Sequence, residues 1–315
     1  MNQRLTRRRL GQLAIAVTTL AGLNYLANKT FAQTQNLMLI GVSIGTAISF
    51  NDAPTELDNP DVDSDDVLRT TILSTPRQLV LQSLDVVTGQ VQLLTIPQFL
   101  EDGTPILESN EQLSGFTSLL DGTLVVAITP VSTSNNENTP TRLTILSTPP
   151  KAVTVSGLNQ QEALQSLLVT NDGGLMGIVL KKNSTPPVRL VDIDIQTGKI
   201  AANGMVQLPN NQRFITLSEC PDGTIYTITT GQDGNTNLVK LDQEQKQAII
   251  LGQLSLNGSD WNNGLHSLVC SGAGQLLALG APRYESPNSV YSVDMSNGNM
   301  TALTPFDVVK FTIAR

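Results

Sequence analysis

The sequence repeats a pattern with a period of about fifty residues. In each copy an apolar run is broken by a short turn ending in Gly, and a second apolar run follows, as in residues 214–241. A fixed period of this length is typical of stacked units that bury one another's apolar faces. Successive copies of this first turn are 51, 50 and 51 residues apart, at Asp121-Gly122, Asp172-Gly173, Asp222-Gly223 and Ala273-Gly274. We assign a fifth, degenerate copy to Ile44-Gly45.

A second recurring turn alternates with the first. Asp and Asn side chains bond to their own backbone in such turns, and Gly supplies the positive φ that reverses the chain. The copies are Asp85–Gly89, Asp194–Gly198 and Asp294–Gly298, with weaker versions at Asp242–Lys246 and Ser147–Lys151. Strands joined by alternating Gly turns predict an all-β fold, a β-propeller. We predict five blades, near residues 39–94, 116–160, 165–208, 214–254 and 266–303.

The repeats resemble generic propeller blades with Asp-Gly turns. They lack the Gly-His…Trp-Asp signature and the kelch pattern of a diglycine followed by spaced aromatics, so the resemblance implies a fold and no particular activity. We interpret residues 51–74, rich in Asp and Pro, as an insertion between the second and third strands of the first blade. Six blades would require a further blade within residues 51–116. We expect Phe311–Ala314 to close the ring against the first blade, or to be a sixth inner strand.

The N-terminus has the pattern of a bacterial export signal. Clustered arginines precede an uncharged run, Leu13–Ala27, and small residues at Thr30 and Ala32 predict cleavage after residue 32. Thr6–Leu10 resembles a twin-arginine signal, which implies export to the periplasm or beyond. The run of 15 residues is too short for a membrane anchor, which needs about 20. We therefore expect one propeller domain over residues 33–315.

The net charge of the chain limits the kinds of partner that it could bind. Removing residues 1–32 takes away five of the 19 basic groups and no acid, which leaves 14 basic and 27 acidic groups, a net charge of −13. Such a charge argues against nucleic acid and anionic membranes as partners and favours solubility. We expect a monomer that needs no cofactor, with Ca²⁺ as the one candidate ion.

That candidate rests on an acidic segment of the predicted insertion. Asp61, Asp63 and Asp65 have the alternation that begins a calcium loop. Asp66 then stands where such a loop needs Gly, and Ile72 stands where a bidentate Glu should complete the oxygen shell. The composition favours the competing interpretation, a solvated acidic loop.

His266 and Trp261 are the candidate ligand-binding residues. His266 is the only histidine, so a site that requires two histidines is excluded. It stands at the start of a predicted inner strand, where it could meet a ligand, although a partly buried histidine with one hydrogen bond is the simpler interpretation. Trp261, in a polar loop, could stack on a sugar or peptide, or could cover a gap in the core.

Cys220 and Cys270 are 50 residues apart, one full repeat, and so fall at nearly equivalent places on adjacent inner strands. An exported protein could join them in a disulfide. However, Cys220 precedes its turn Gly by three residues and Cys270 by four, and Cα atoms more than about 7 Å apart cannot be bridged. These considerations favour two buried thiols over the bridge.

The repeated Asp121, Asp172 and Asp222 could suggest a ring of catalytic carboxylates. Each already has a role as a turn former before Gly, so their repetition follows from the fold. We therefore predict no catalytic residue. The sequence favours an exported, non-catalytic binding or scaffold propeller that presents loops to a protein or glycan. The alternative is a carboxylate-dependent hydrolase or lyase, assisted by Ca²⁺, that acts in the central opening.

Overall fold

The computed structural model describes residues 37–48, 75–131, 140–159, 162–181, 188–206, 212–231, 234–242, 244–282 and 287–315. Over these ranges the regular elements are β-strands, and none of the residues forms a helix long and apolar enough to cross a bilayer. The predicted signal and the residues Asp61, Asp63 and Asp65 lie outside the described residues.

Five sheets contain the described strands, and the four main strands of each sheet pair antiparallel. From the inside outwards, blade 1 consists of β22 (Lys310–Ile313), β1 (Met38–Ala47), β2 (Arg77–Asp85) and β3 (Val91–Leu94). Blade 2 consists of β4 (Glu111–Ser118), β5 (Leu124–Pro130), β6 (Arg142–Ile145) and β7 (Lys151–Thr154). Blade 3 consists of β8 (Glu162–Val169), β9 (Leu175–Lys181), β10 (Val188–Ile193) and β11 (Ile200–Val206).

Blade 4 consists of β12 (Gln212–Glu219), β13 (Ile225–Gly231), β14 (Thr236–Asp242) and β15 (Gln247–Gln253). Blade 5 consists of β18 (Ser267–Cys270), β19 (Leu276–Gly280), β20 (Ser289–Val293) and β21 (Asn299–Pro305), with β16 (Ser255–Leu256) and β17 (Ser259–Asp260) added to its outer edge. The innermost strands contact one another in a closed circle, β4, β8, β12, β18, β22 and β4 again. The protein is therefore a five-bladed β-propeller, and the predicted fold class is confirmed.

The two ends of the chain meet in blade 1. β22 pairs with β1 in antiparallel register, with Ile313 opposite Leu39 and Lys310 opposite Val42. The predicted closing strand is thus confirmed. The turn assigned to Ile44-Gly45 is wrong, because both residues lie within the single strand β1. Blade 1 has no first turn, because its first and second strands come from opposite ends of the chain.

Hydrophobic cores fill the spaces between neighbouring blades. Alternate residues of β5 face opposite cores: Val125 and Ala127 pack toward blade 3, and Val126 and Ile128 pack toward blade 1. A second strand covered on both faces needs apolar residues at every position, which explains the continuous apolar runs in the sequence.

The connections differ in length at the two ends of the strands. At one end, which we call the turn end, each connection has four to six residues, as in 119–123 and 86–90. At the other, the loop end, they include residues 48–76, 95–110 and 254–266. All connections from one blade to the next emerge at the loop end, because an antiparallel sheet of four strands starts and finishes on the same side.

The second recurring turn also joins neighbouring blades. Gly198, in the turn of blade 3, has a φ of 67°, and its carbonyl accepts a hydrogen bond from Ser156 N beyond the last strand of blade 2, at 2.9 Å. Gly298 of blade 5 accepts from Ser255 N beyond blade 4 at 3.3 Å. In blade 4 Lys246 occupies the corresponding turn position with a φ of 55°.

Candidate functional site: the loop end of the central channel

The innermost strands surround a channel on the axis of the ring. The pairing of each innermost strand with the second strand of its blade shows which lining residues occupy equivalent positions. Equivalent residues form layers, each with one residue from each blade. One layer is apolar and consists of Phe116, Leu167, Leu217, Leu268 and Phe311. The next layer toward the loop end, which we call the loop-end ring, consists of Gly115, Ser166, Thr216, Ser267 and Lys310. The cavity lined by these strands has a volume of about 50 Å³.

A β-bulge precedes the ring position in three blades. The register of the innermost strand shifts between Leu164 and Ser166 in blade 3, and between Phe214 and Thr216 in blade 4. Blade 2 shows the same shift immediately before Gly115. A bulge re-aims the side chain that follows it. The backbone of the inner strands therefore places this ring in a repeated way.

Two ring hydroxyls link adjacent blades. Thr216 Oγ1 accepts a hydrogen bond from Leu268 N of blade 5, and Ser267 Oγ accepts one from Phe311 N of blade 1, both at 3.2 Å. Each hydroxyl therefore keeps its own O–H proton available to donate. The side chains of this layer fix neighbouring strands and line the channel at the same time.

Lys310 is the one ring residue with a charge. Its Nζ donates a hydrogen bond to the carbonyl oxygen of His266 at 2.9 Å. Burial lowers the pKa of Lys310 from 10.5 to about 8. His266 lies beside it with an exposed side chain, and desolvation lowers its pKa, with a further contribution from the positive charge of Lys310. The structure thus places the sequence-predicted His266 next to a residue that the sequence analysis did not single out.

Buried ion pairs occupy the loop end of blades 2 and 3. The Arg142 guanidinium binds Glu111 in a bidentate manner, with Nε–Oε1 at 2.9 Å and Nη2–Oε2 at 2.5 Å. Arg189 Nη2 contacts Glu162 Oε2 at 2.7 Å. Each glutamate also accepts a backbone N–H from three residues earlier in the chain, as Glu111 does from Glu108 N at 2.8 Å. Their charges are therefore balanced within the blades.

The repeated aspartates act as turn caps. Asp121 Oδ1 accepts from Thr123 N at 2.9 Å, and Asp222 Oδ1 accepts from Thr224 N at 3.0 Å. In both residues the backbone hydrogen bond is the main cause of a lowered pKa. Thr170 Oγ1 donates to Asp172 Oδ1 at 2.5 Å and is the main cause of the lowered pKa there. All three carboxylates lie at the turn end of the strands.

Trp261 lies inside the protein rather than in an open loop. It is 4% exposed and belongs to the core between blades 4 and 5. Its ring meets that of Tyr291 edge to face, with centroids 5.3 Å apart. A ligand that stacked on this indole would have to displace that contact, so we do not place Trp261 in the site.

Cys220 and Cys270 form a disulfide between blades 4 and 5. Their Cα atoms are 5.1 Å apart, well inside the bridging limit, so the expectation of two free thiols is wrong. Cys270 is the last residue of β18, whereas Cys220 follows β12 as the first residue of a turn. Cys220 and Cys270 precede the Gly of their first turns by different numbers of residues. Because Cys220 lies just beyond the end of its strand, the disulfide forms despite this difference of one residue.

Glu219 is the acid that the described inner strands bring to the channel lining. It stands at the turn end, where its Oε2 accepts a hydrogen bond from Asn171 N at 2.6 Å. Within the described ranges no group of three or more His, Cys, Asp or Glu side chains could hold a metal ion. What the described channel offers chemically is a set of hydroxyl and ammonium donors at its loop end.

A regular sequence signal identifies most of the loop-end ring. Gly115, Ser166, Thr216 and Ser267 each stand seven residues before the Gly of their first turn. Glu111 and Glu162 each stand eleven residues before the same Gly. Lys310 has no such signal, because β22 is followed by no turn and enters the ring only through pairing with β1.

Comparison with known proteins does not assign the chain to a family. No protein-family model matches the chain, and no curated protein matches it. Among solved structures, a calcium-binding protein, regucalcin, from Agrobacterium tumefaciens strain C58 is 14% identical with a TM-score of 0.37. The match covers 71% of this chain and 65% of regucalcin, just under two thirds of its length.

Two further structures show similar relationships. A protein of unknown function from Dyadobacter fermentans is 11% identical with a TM-score of 0.48, over 87% of this chain and 84% of that one. An oligogalacturonate lyase in complex with manganese is 13% identical with a TM-score of 0.36, over 74% of this chain and 72% of the lyase. At these values the likenesses carry no argument about function.

Proposed function

We propose that the protein is an exported, non-catalytic binding propeller whose loop end contacts a protein or glycan partner. The observation that carries this proposal is the difference between the two ends of the strands. The turn end is closed by short turns whose aspartates bond to the local backbone, whereas the connections of up to 29 residues, 48–76, emerge at the loop end. Loops on a rigid scaffold are the usual carriers of binding function.

The scaffold beneath these loops has several independent supports. Neighbouring blades share hydrophobic cores, β22 closes the ring through pairing with β1, and a disulfide joins blades 4 and 5. Such a frame holds the bases of the loops in fixed relative positions. Binding then costs less ordering of the scaffold, which favours affinity.

Photocrosslinking compares the two ends directly. A photoreactive residue is introduced at exposed loop-end positions, Glu101 or Asn262, and at matched exposed turn-end positions, Leu120 or Gln245. The full chain is expressed in a bacterium and irradiated in the envelope fraction, and the same variants are applied to envelope glycans. We expect recovery of a processed chain from the envelope and crosslinks to one partner from the loop-end positions.

The matched positions make the experiment decisive. Crosslinks of equal yield from Leu120 and Gln245, or none from Glu101 and Asn262 with protein and glycan alike, would overturn the proposed use of the loop end. Retention of an unprocessed chain in the cytoplasm would overturn the export part of the proposal independently.

A further inference from the structure

The loop-end ring is rich in hydrogen-bond donors. An ammonium carries three N–H donors, of which Lys310 uses one on His266 O. The hydroxyls of Thr216 and Ser267 accept backbone N–H groups, so their own protons remain available. Ser166 is buried, and within the described part of the chain its Oγ makes no hydrogen bond. These groups line one channel.

The positive charge of Lys310 lacks an ionic partner nearby. Among the described residues no carboxylate lies within ion-pair distance of its Nζ. The acids at the loop ends of blades 2 and 3 are paired with Arg142 and Arg189. The channel-lining positions of β4 and β8 carry no ionisable group. The remaining charged or titratable groups are His266 beside Lys310, and Glu219 and Arg315 near the turn end.

The size and charge of the cavity limit what could occupy it. A volume of about 50 Å³ is about three to five times the roughly 10–15 Å³ that one buried water requires, so a group of a few heavy atoms fits. One ammonium surrounded by neutral hydroxyls balances one negative charge. The excess of acids in the chain disfavours a polyanion such as phosphate.

We propose that the loop end of the channel is a binding site for the carboxylate of a small-molecule ligand, held by Lys310 and by the hydroxyls of Ser166, Thr216 and Ser267. The site goes beyond the proposed binding of a macromolecule by the loops and does not depend on it. The lowered pKa of Lys310 fits a partly buried ammonium that an anion would stabilise.

Acetate is the probe, because it is a small monocarboxylate with few heavy atoms. The lysine side chains of the full chain are labelled with ¹³C at Cε and titrated with pH by NMR, with and without acetate. The signal absent from Lys310→Met identifies Lys310. We expect saturable binding of acetate and a rise of about one unit or more in the pKa of Lys310, since a nearby opposite charge favours the charged form.

Matched variants separate this site from a general effect of charge. Lys310→Met should lose acetate binding, whereas Lys151→Met, which removes an exposed lysine from β7, should keep it. Ser166→Ala should weaken binding several-fold.

Three results would overturn the proposal. The first is a pKa of Lys310 in the wild-type chain that saturating acetate leaves unchanged. The second is binding of acetamide as tight as that of acetate, and the third is acetate binding that Lys310→Met retains. Lys310 is also recognisable in the wild-type chain by its titration near pH 8, so the first measurement decides the question even if a variant fails to fold. Phosphate binding in preference to acetate would contradict the assigned ligand class.

Discussion

At the scale of single residues, Lys310 is the member of the loop-end ring that differs in residue type from those of the other blades. Four blades place Gly, Ser or Thr at the ring position, and blade 1 places a lysine there. A partly buried ammonium without a carboxylate partner costs free energy, because it has left water without a compensating charge. A residue that costs stability at one defined position of the channel is a reasonable place to look for function.

Replacing Lys310 should therefore stabilise the protein. We expect Lys310→Met to raise the free energy of unfolding at pH 7 by about 1–3 kcal/mol, since the pKa is lowered from 10.5 to about 8. The folded chain releases this proton at a lower pH than the unfolded chain, so wild-type stability rises between about pH 8 and 10.5. The advantage of the variant should shrink across that window.

Urea denaturation at several pH values measures both effects. Lys151→Met removes an exposed lysine and should change stability by less than about 0.5 kcal/mol. A Lys310→Met chain that is less stable than wild type, or an advantage that stays constant from pH 7 to 10, would contradict the account of Lys310 as a charge deprived of water.

At the scale of elements, the second turn of a blade is a contact as well as a reversal. The turn of blade 3 meets the end of the last strand of blade 2, and the turn of blade 5 meets that of blade 4. A Cβ added to Gly298 would lie 2.8 Å from Gln253 O, and one added to Gly198 would overlap Thr154 O. Glycine is needed here for the positive φ and for the close approach of the neighbouring blade.

Substitutions at two glycines distinguish the need for a positive φ from the need for close approach of the neighbouring blade. Gly198→Ala should lower the free energy of unfolding by about 2–5 kcal/mol, because a left-handed φ and a backbone overlap both oppose the methyl group. Gly223 has a φ of 79° with no atom within 4 Å of an added Cβ, so Gly223→Ala should cost only about 1–2 kcal/mol. Equal losses in urea denaturation would show that blade contact adds nothing.

Local turn chemistry explains which elements the sequence could predict. Asp-Gly and Asp…Gly turns are encoded within a few residues, so their positions, the period and the blade number follow from the chain itself. The prediction of a turn at Ile44-Gly45 was wrong because a small residue within an apolar run looks the same in the sequence of a strand as in that of a turn. Lys310 escaped notice because its neighbours come from β1, some 270 residues earlier in the sequence.

At the scale of the whole molecule, the ring is held by two long-range connections. β22 hydrogen-bonds to β1, and the disulfide joins the turn after β12 in blade 4 to the end of β18 in blade 5 across a sequence separation of 50 residues. A crosslink of this span reduces the conformational freedom of the unfolded chain, and in the entropic account longer loops give greater stabilisation.

Removing the disulfide should lower the free energy of unfolding by about 2–4 kcal/mol. The measurement is urea denaturation of the oxidised wild type, the reduced wild type and Cys220→Ala/Cys270→Ala, monitored by fluorescence of the single tryptophan, Trp261, in the core between blades 4 and 5. The reduced wild type controls for volume lost in the variant. Unfolding at the same urea concentration in all three would rule out a stabilising role for the bridge.

The pairing of β22 with β1 has a consequence for how the chain is made. Among the described strands, a ribosome synthesises β1 first and β22 last, yet β22 is the innermost strand of the blade that contains β1. Until that segment emerges, blade 1 exposes an unpaired inner edge and the circle stays open. A prematurely terminated product would therefore lack the strand that completes the ring rather than a peripheral piece. The topology makes closure of the ring depend on synthesis of β22.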